Sequence, residues 1–331
     1  MKQAILNLLC LPETKEPFVK DGVDYIATET GKKIPVVNNI PRFTGYVGAE
    51  TVQSFGEQWN KFNFDAFKQN WLQHTVQNTF GTTDAFKEKI IVDAGAGSGM
   101  QTRWIAESGA AHVLSLELSH AVDGIIKQNL EGLTNVTSIQ CSIDAPPVKD
   151  NSVDMVYCHN VIQHTPSVEK TAQALYALVK PGGELVMNCY HEGMFGTGWK
   201  RTIRRPIYTA LRAVLPRCPK FIIYAYAYFV ALFGIVPVIG KALGGAGIVV
   251  DGDVPRLENE SALSYSARRY KQFALNTYDF YGYHVYQHVL NKEQLQSLLL
   301  SLQPDKTKIE NFERYFETPL LPGMAFRITK T

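Results

Sequence analysis

The sequence predicts an α/β protein built on a doubly wound, mostly parallel sheet of seven strands, with a β-rich N-terminal leader and a helical cap inserted late in the chain. Three observations carry this. The apolar run Ile90-Ile91-Val92 ends in Asp93 and opens into alternating glycines, Gly95, Gly97 and Gly99, with a helix-like segment from about Gln101. From there to Cys189, strand-like and helix-like segments alternate at the spacing of βαβ units. After a long interruption the pattern returns as a helix near 292–302 and strands near 306–312 and 324–329. No helical crossover separates those last strands, so they read as a hairpin at the sheet edge.

In chain order, residues 22–27, 34–37 and 39–43 read as short strands, a piece too small to stand alone and expected to pack on the main domain. Phe55, Trp59, Phe62, Phe64, Phe67, Trp71 and Phe80 recur at near-helical spacing. They read as helices packing on the sheet, or, for Gln58 and Trp59, as a cover over a ligand. The strand at 90–92 leads through the glycine turn to a helix near 101–108. Residues 111–116 form the second strand, ending in Glu117, and Ser119 caps a helix running to about Leu130. Strands follow at 136–140 and 152–158. Thr165 then reads as a cap for a helix with Pro166 at its first position, and Pro181-Gly182-Gly183 leads into the strand at 184–189. The resulting division is a leader (1–48), a core with helical lead-in (49–190), a cap (191–288) and the rest of the core (289–331).

Composition narrows the function classes. The chain has 331 residues, 45% hydrophobic, with a net charge of +2, so the molecule as a whole is no obvious nucleic-acid binder. Its five cysteines stand at 10, 141, 158, 189 and 218 with no CxxC pair, which fits a reducing cytoplasm and predicts no metal site. The N-terminus lacks a signal-peptide pattern.

Glycines at 95, 97 and 99 let the backbone turn sharply and approach a ligand closely. Glu117, at the end of the next strand, is placed to accept both hydroxyls of a ribose. The spacing is GxGxG rather than GxGxxG, and no hydride-transfer constellation stands out. With VDAGAGSG (92–99), VLSLELS (113–119), PPVKDNSVDMVYCHNVIQHTP (146–166) and LVKPGGELVM (178–187) in this order, the sequence resembles the class I S-adenosylmethionine (SAM)-dependent methyltransferases. The resemblance covers about half the chain and implies a Rossmann-like core with SAM as cofactor. It implies a cofactor-binding set of Asp93, Gly95, Ala96, Gly97, Gly99, Gln101, Glu117, Leu118, Ser142, Ile143 and Asn160. In it Asp93 holds the methionine ammonium, Glu117 the ribose, and Ser142 and Ile143 flank the adenine. Ser142 stands where many members carry an acid, and Asp144 is its alternative. His159 and Asn160 would sit where the fourth strand opens towards the sulfonium.

The leader, LLCLPETKEPF…TGKKIPVVNNIPRF, is similar to zinc-ribbon-like modules found ahead of some methyltransferases, but only Cys10 remains of their ligands. SFGEQWNKF (54–62) resembles the linker that follows such modules. An oxygen acceptor needs a base, for which His164 is the first candidate and His191 the second; helix capping or packing is the alternative for each. A carboxylate acceptor needs none.

Between Gly193 and Val250 there is no Asp or Glu, whereas Lys200, Arg201, Arg204, Arg205, Arg212, Arg217, Lys220 and Lys241 are basic. A helix is expected at 206–215, ended by Pro216. The uncharged run 221–240 reads as a buried pair of cap helices over the pocket, as a membrane-facing cap, or as a span, the last opposed by Gly234 and Pro237. The dense aromatic stretch 266–288 reads as a loop whose Tyr278, Tyr281, Tyr286 and His288 line the acceptor pocket, or as cap packing. Arg268 and Arg269 could serve an acidic acceptor.

The expectation is therefore a SAM-dependent methyltransferase acting on an oxygen of a small, hydrophobic, glycan or lipid-linked molecule. It is expected to be cytoplasmic, with peripheral attachment to an anionic membrane through 200–245 as a further expectation. A non-catalytic SAM-binding scaffold is the main alternative and a nucleic-acid methyltransferase the third, with no nucleic-acid partner expected on the first reading.

Overall fold

The leader folds as two small antiparallel pieces. Strands β1 (Phe18–Asp21), β2 (Asp24–Ala27) and β3 (Lys33–Ile34) form a meander, and β4 (Val36–Val37) pairs with β5 (Ile40–Pro41). The β4–β5 turn is Asn38-Asn39, both at positive φ (54° and 65°), a conformation asparagine tolerates and a two-residue hairpin requires. In this computed structural model the residues described are 2–43, 56, 59, 67–250, 252, 254–282, 284, 286–317 and 323–331. Phe55, Gln58, Phe62, Phe64 and most of the 54–62 linker lie outside them.

The core runs β6 (Ile90–Ala94), α1 (Met100–Glu107), β7 (His112–Glu117), α2 (Ile125–Asn129), β8 (Val136–Gln140), β9 (Val153–Cys158), α3 (Val168–Leu178) and β10 (Val179–Met187). The cap follows as α4 (Trp199–Val214), α5 (Lys220–Gly234), α6 (Pro237–Ala246) and α7 (Ala262–Tyr281). The chain then returns through α8 (Lys292–Leu302), β11 (Ile309–Glu310) and β12 (Phe326–Thr329). The seven-stranded sheet has the order β11-β12-β10-β9-β6-β7-β8. Strands β6 to β10 are parallel, and β12 runs antiparallel to both β10 and β11, which makes the expected edge hairpin.

Both sheet faces are buried, so its strands read as continuous apolar runs instead of alternating ones. Ile91, Val113, Met155 and Val186 face Trp71, Phe86, Trp104 and Ile105. Their neighbours Val92, Leu114, Val156 and Leu185 face α3, α8 and the leader. Each such fully buried aliphatic side chain stabilises the fold by about 1.5–3 kcal/mol. The leader is tied to this second face. Leu9 bridges to Val148, the Phe43 N–H donates to Gln140 O (3.0 Å), and Arg42 pairs with Asp123 (2.5 Å).

Several local expectations are corrected. Ser167, not Thr165, caps α3; Thr165 Oγ1 donates back to Ile162 O (2.8 Å). The helix after Ser119 is broken into a 3-10 turn (His120–Asp123) and the five-residue α2. Helix α4 begins seven residues before Pro206 and runs through it, and within it Arg201 and Arg205, one turn apart, both grip Glu192 (2.5 and 3.2 Å). Of the readings of 221–240, the pair of helices is the one that forms and the single span is not: α5 ends at Gly234 and Pro237 starts α6. No helix among the described residues is long and apolar enough to cross a membrane. The aromatic stretch read as a loop is mostly α7, capped by Ser261, with Phe273, Ala274, Thr277, Tyr278 and Tyr281 on its buried side.

Candidate active site

The glycine turn follows directly from β6. The N–H groups of Gly95 and Ala96 both donate to Leu116 O (2.9 Å), pinning the turn to the end of β7. Gly95 has φ +84°, and a Cβ there would meet Val161 at 2.4 Å. A Cβ on Gly97 (φ +59°) would meet the indole of Trp59 at 3.0 Å. The turn therefore requires glycine both for its backbone and for what lies over it.

Acidic and amide side chains hold the surrounding loops. The Glu117 carboxylate accepts from the Gly97 N–H (2.9 Å) and, through its other oxygen, from the Ser119 N–H (2.8 Å). Each oxygen keeps a lone pair for a further donor. Asp93 is buried, accepts from the Thr102 hydroxyl (2.5 Å), and is pushed up to about 7 by that burial. Asn160, at φ +59°, donates its N–H to Asn188 Oδ1 (2.6 Å), and Asn188 Nδ2 donates to Asn160 Oδ1 (2.9 Å). Gln101 Oε1 accepts from Tyr157 OH (2.8 Å).

Two adjoining cavities share the glycine turn, Trp59, Asn160 and Val161. One, about 150 Å³, is lined by Glu117, Leu118, Ser142, Ile143 and His164. The other, about 350 Å³, is lined by Asp93, Gln101, His159, Asn70, His74 and Gln272 among others. A larger groove of about 840 Å³ lies between the leader and α2 and shares no lining residue with either cavity. Of the eleven residues implied for the cofactor, Asp93, Gly95, Ala96, Gly97, Gln101, Glu117, Leu118, Ser142, Ile143 and Asn160 line one cavity or both. Gly99 serves instead as the left-handed N-cap of α1. Ser142 is in the wall, bonded to Asp144, which stands behind it.

The histidines separate. His164 is in the smaller cavity beside Glu117, with Nδ1 donating to Tyr286 O (3.1 Å) and its ring 4.8 Å from that of His284. Burial and that neighbouring imidazole hold it below its ordinary pKa. His191 is away from both cavities. Its Nδ1 accepts from the Gly193 N–H (2.8 Å), and its ring packs on Tyr315 and Phe316. His159 stands in the larger cavity's wall, stacked on Tyr157 (5.7 Å). Its Nε2 donates to Gly323 O (3.2 Å), its buried Nδ1 has no hydrogen-bond partner among the described residues, and burial lowers its pKa to about 4.

Among the described lining residues the four expected acceptor contacts are missing. Tyr278 stacks on Tyr224 (4.3 Å), and Tyr281 OH donates to Gly247 O. The Tyr286 carbonyl receives His164, and His288 Nε2 donates to Thr165 O (3.0 Å). The cap reaches the larger cavity through Gln272 of α7 instead. Sequence reasoning missed Gln272, Asn70 and His74; reading 262–281 as a helix would have placed Gln272 opposite the α5-facing side. Arg268 is held by Glu260 and is no anion site.

With this geometry in place, residues 92–187 match a family described as a methyltransferase domain. Similar curated proteins include phosphoethanolamine N-methyltransferase 2 of Caenorhabditis elegans, 31% identical over 108 residues, or 32% of this chain and 24% of that protein. The ubiquinone biosynthesis O-methyltransferase of Coxiella burnetii is 28% identical over 100 residues, or 30% of this chain and 42% of that one. The chain thus spans about a quarter to two-fifths of the length of these two relatives. A solved SAM-dependent methyltransferase from Mesorhizobium loti is 24% identical, covers 34% of this chain and 51% of its own, and has a TM-score of 0.31.

Proposed function

We propose that this protein is a SAM-dependent methyltransferase whose acceptor is a small, largely apolar molecule methylated on oxygen. The observation that carries this reading is the single glycine turn walled by Asp93 on one side and Glu117 on the other, with the two cavities meeting across it. SAM fits those groups: an ammonium beside Asp93, a ribose on the remaining lone pairs of Glu117, and an adenine beside Ser142, Ile143 and Leu118. SAM supplies an electrophilic methyl carbon on a sulfonium. The acceptor's lone pair forms the new bond to that carbon as the carbon–sulfur bond breaks and its electron pair returns to sulfur. The protein's part is mainly alignment and removal of the acceptor proton.

His164 shares its cavity with the adenosine-side residues, and His191 is engaged elsewhere. We therefore assign the proton-accepting role to His159. Its Nε2–H is fixed on Gly323 O, which leaves Nδ1 as the ring's acceptor, buried and with no hydrogen-bond partner among the described residues. The relatives include both an N- and an O-methyltransferase, so the element methylated is decided by product analysis.

Calorimetric titration with SAM and S-adenosylhomocysteine tests the cofactor assignment; no binding would overturn it. Transfer of labelled methyl from SAM in a cell extract, followed by mass spectrometry of the product, tests turnover and names the acceptor. His159→Ala should lower kcat about 10²-fold or more with SAM affinity nearly unchanged, whereas His164→Ala should mainly weaken SAM binding. Full turnover by His159→Ala would remove its assigned role.

A further inference from the structure

Helix α5 has two apolar sides and only one of them is covered. Ile223, Ala227, Val230, Ala231 and Gly234 recur at helical spacing and are buried, packing on the α7 side of the cap. Phe221, Ala225, Phe229, Leu232 and Phe233 occupy the opposite arc, where Phe221 is 71% and Phe229 64% exposed. The arc carries no charged residue; Tyr228, 39% exposed, brings a hydroxyl to its edge. It continues past the helix end through Val236 and into α6, where Val238 is 81% exposed. A soluble surface of this kind, large and contiguous, marks an interaction site.

The charges around it identify the occupant. Of the eight basic residues in 194–250, Arg204 donates to the Gly244 and Gly245 carbonyls at the end of α6 (2.8 Å each). Arg212 donates to the Gly282 and His284 carbonyls (2.8 and 2.7 Å), and Arg201 and Arg205 hold Glu192. Arg217 and Lys220 lead directly into Phe221, and Lys241 follows Val238 by one helical turn on α6. No acidic residue occurs in 194–250, so the charge that this segment itself brings to the arc is positive. A two-fold dimer through this face would set the same patch, and the same cations, against itself. An anionic surface is complementary to the net positive charge of this segment. Helix α5 has 15 residues, short of the roughly 20 that a span requires, and it is followed by the turn into α6. The fitting geometry is a helix lying in the headgroup plane with Phe, Leu and Val in the acyl boundary.

We propose that α5 and the start of α6 dock this protein on an anionic phospholipid bilayer. The surface is separate from the cofactor cavities, and the proposal does not depend on the catalytic reading. The test is flotation of the full chain with vesicles of phosphatidylcholine alone and with about 30% phosphatidylglycerol, with SAM titrations on the same samples to follow the cofactor site independently. Wild type should float with the anionic vesicles and stay largely behind with the neutral ones. Phe229→Asp with Leu232→Asp should abolish flotation, and Lys220→Glu with Lys241→Glu should weaken it roughly tenfold or more. Circular dichroism melts establish that the variants are folded, and Phe229→Ser with Leu232→Ser provides a milder pair. Failure of wild type to float would overturn the proposal. So would equal binding to both vesicle types, or a dimer in solution that the Asp pair converts to monomer.

Discussion

The glycine-turn region and the cap solve different problems with different materials. Around the turn, polar groups have specific partners: Glu117 spans two backbone N–H groups, Asp93 holds Thr102, and Asn160 and Asn188 bind each other twice. The cap is held by shape. Tyr224 stacks on Tyr278, Phe273 and Val249 crowd against Gly234, and two arginines brace helix ends through carbonyls. Directional bonds fix a few atoms to a fraction of an ångström, as a cofactor needs. Apolar packing fixes a surface and leaves its outer side open to whatever covers it. The contrast teaches that precision and adaptability are segregated along this chain.

That contrast can be broken by mutation, and the largest effect is expected at the turn. Gly95→Ala, with positive φ and Val161 in the way, should weaken SAM binding by about 100-fold or more while leaving vesicle flotation unchanged. Glu117→Ala should cost about 1–3 kcal/mol of SAM binding by calorimetry, and Glu117→Gln less, since one carbonyl oxygen is kept. The pH dependence comes next. Burial raises Asp93 to about 7, so below that pH the carboxyl is neutral and holds a cation poorly. SAM affinity should rise by up to about tenfold per pH unit between pH 5 and 7, level off above, and lose this slope in Asp93→Asn. The sign for stability of the free protein is opposite. Its native state binds the Asp93 proton more tightly than the unfolded chain does, so this group's share of stability is lost as pH rises from about 4 to 7. Melting points of wild type and Asp93→Asn across that range measure it. In the cap, a double-mutant cycle of Tyr224 and Tyr278 to Leu should give a coupling of about 0.5–1.5 kcal/mol with SAM affinity unmoved. Phe229→Ser on the open arc should change stability by no more than about 0.5 kcal/mol.

How much the sequence disclosed follows the same division. The strand–glycine–helix turn was legible because left-handed backbone and close approach can be met by few residues, and glycine is visible in a string of letters. The alternation of β6 to β10 was legible because strands buried on both faces read as unbroken apolar runs. The cap left three readings open for a physical reason: 221–240 is apolar on both sides of a helix, so its periodicity vanished, and only Gly234 and Pro237, where α5 gives way to α6, spoke against one span. Residues 266–288 looked like a loop because polar and aromatic positions are mixed, although the aromatic ones fall on one face of α7. For Tyr278 and Tyr281 the sequence left pocket lining and cap packing both open, and in the structure they pack within the cap. Histidine roles depend on contacts between distant segments: the Gly323 carbonyl that orients His159 is 164 residues away.

Helix α7 carries Phe273 and Thr277 beneath the cap on one side and Gln272 in the wall of the acceptor cavity on another. One rigid rod therefore separates the proposed bilayer contact from the proposed site of chemistry. On a docked molecule, an acceptor dissolved in the membrane is supplied in two dimensions. Its saturation would follow mole fraction in the lipid rather than molarity in the buffer, and diluting the acceptor with inert lipid would slow the reaction at constant total amount.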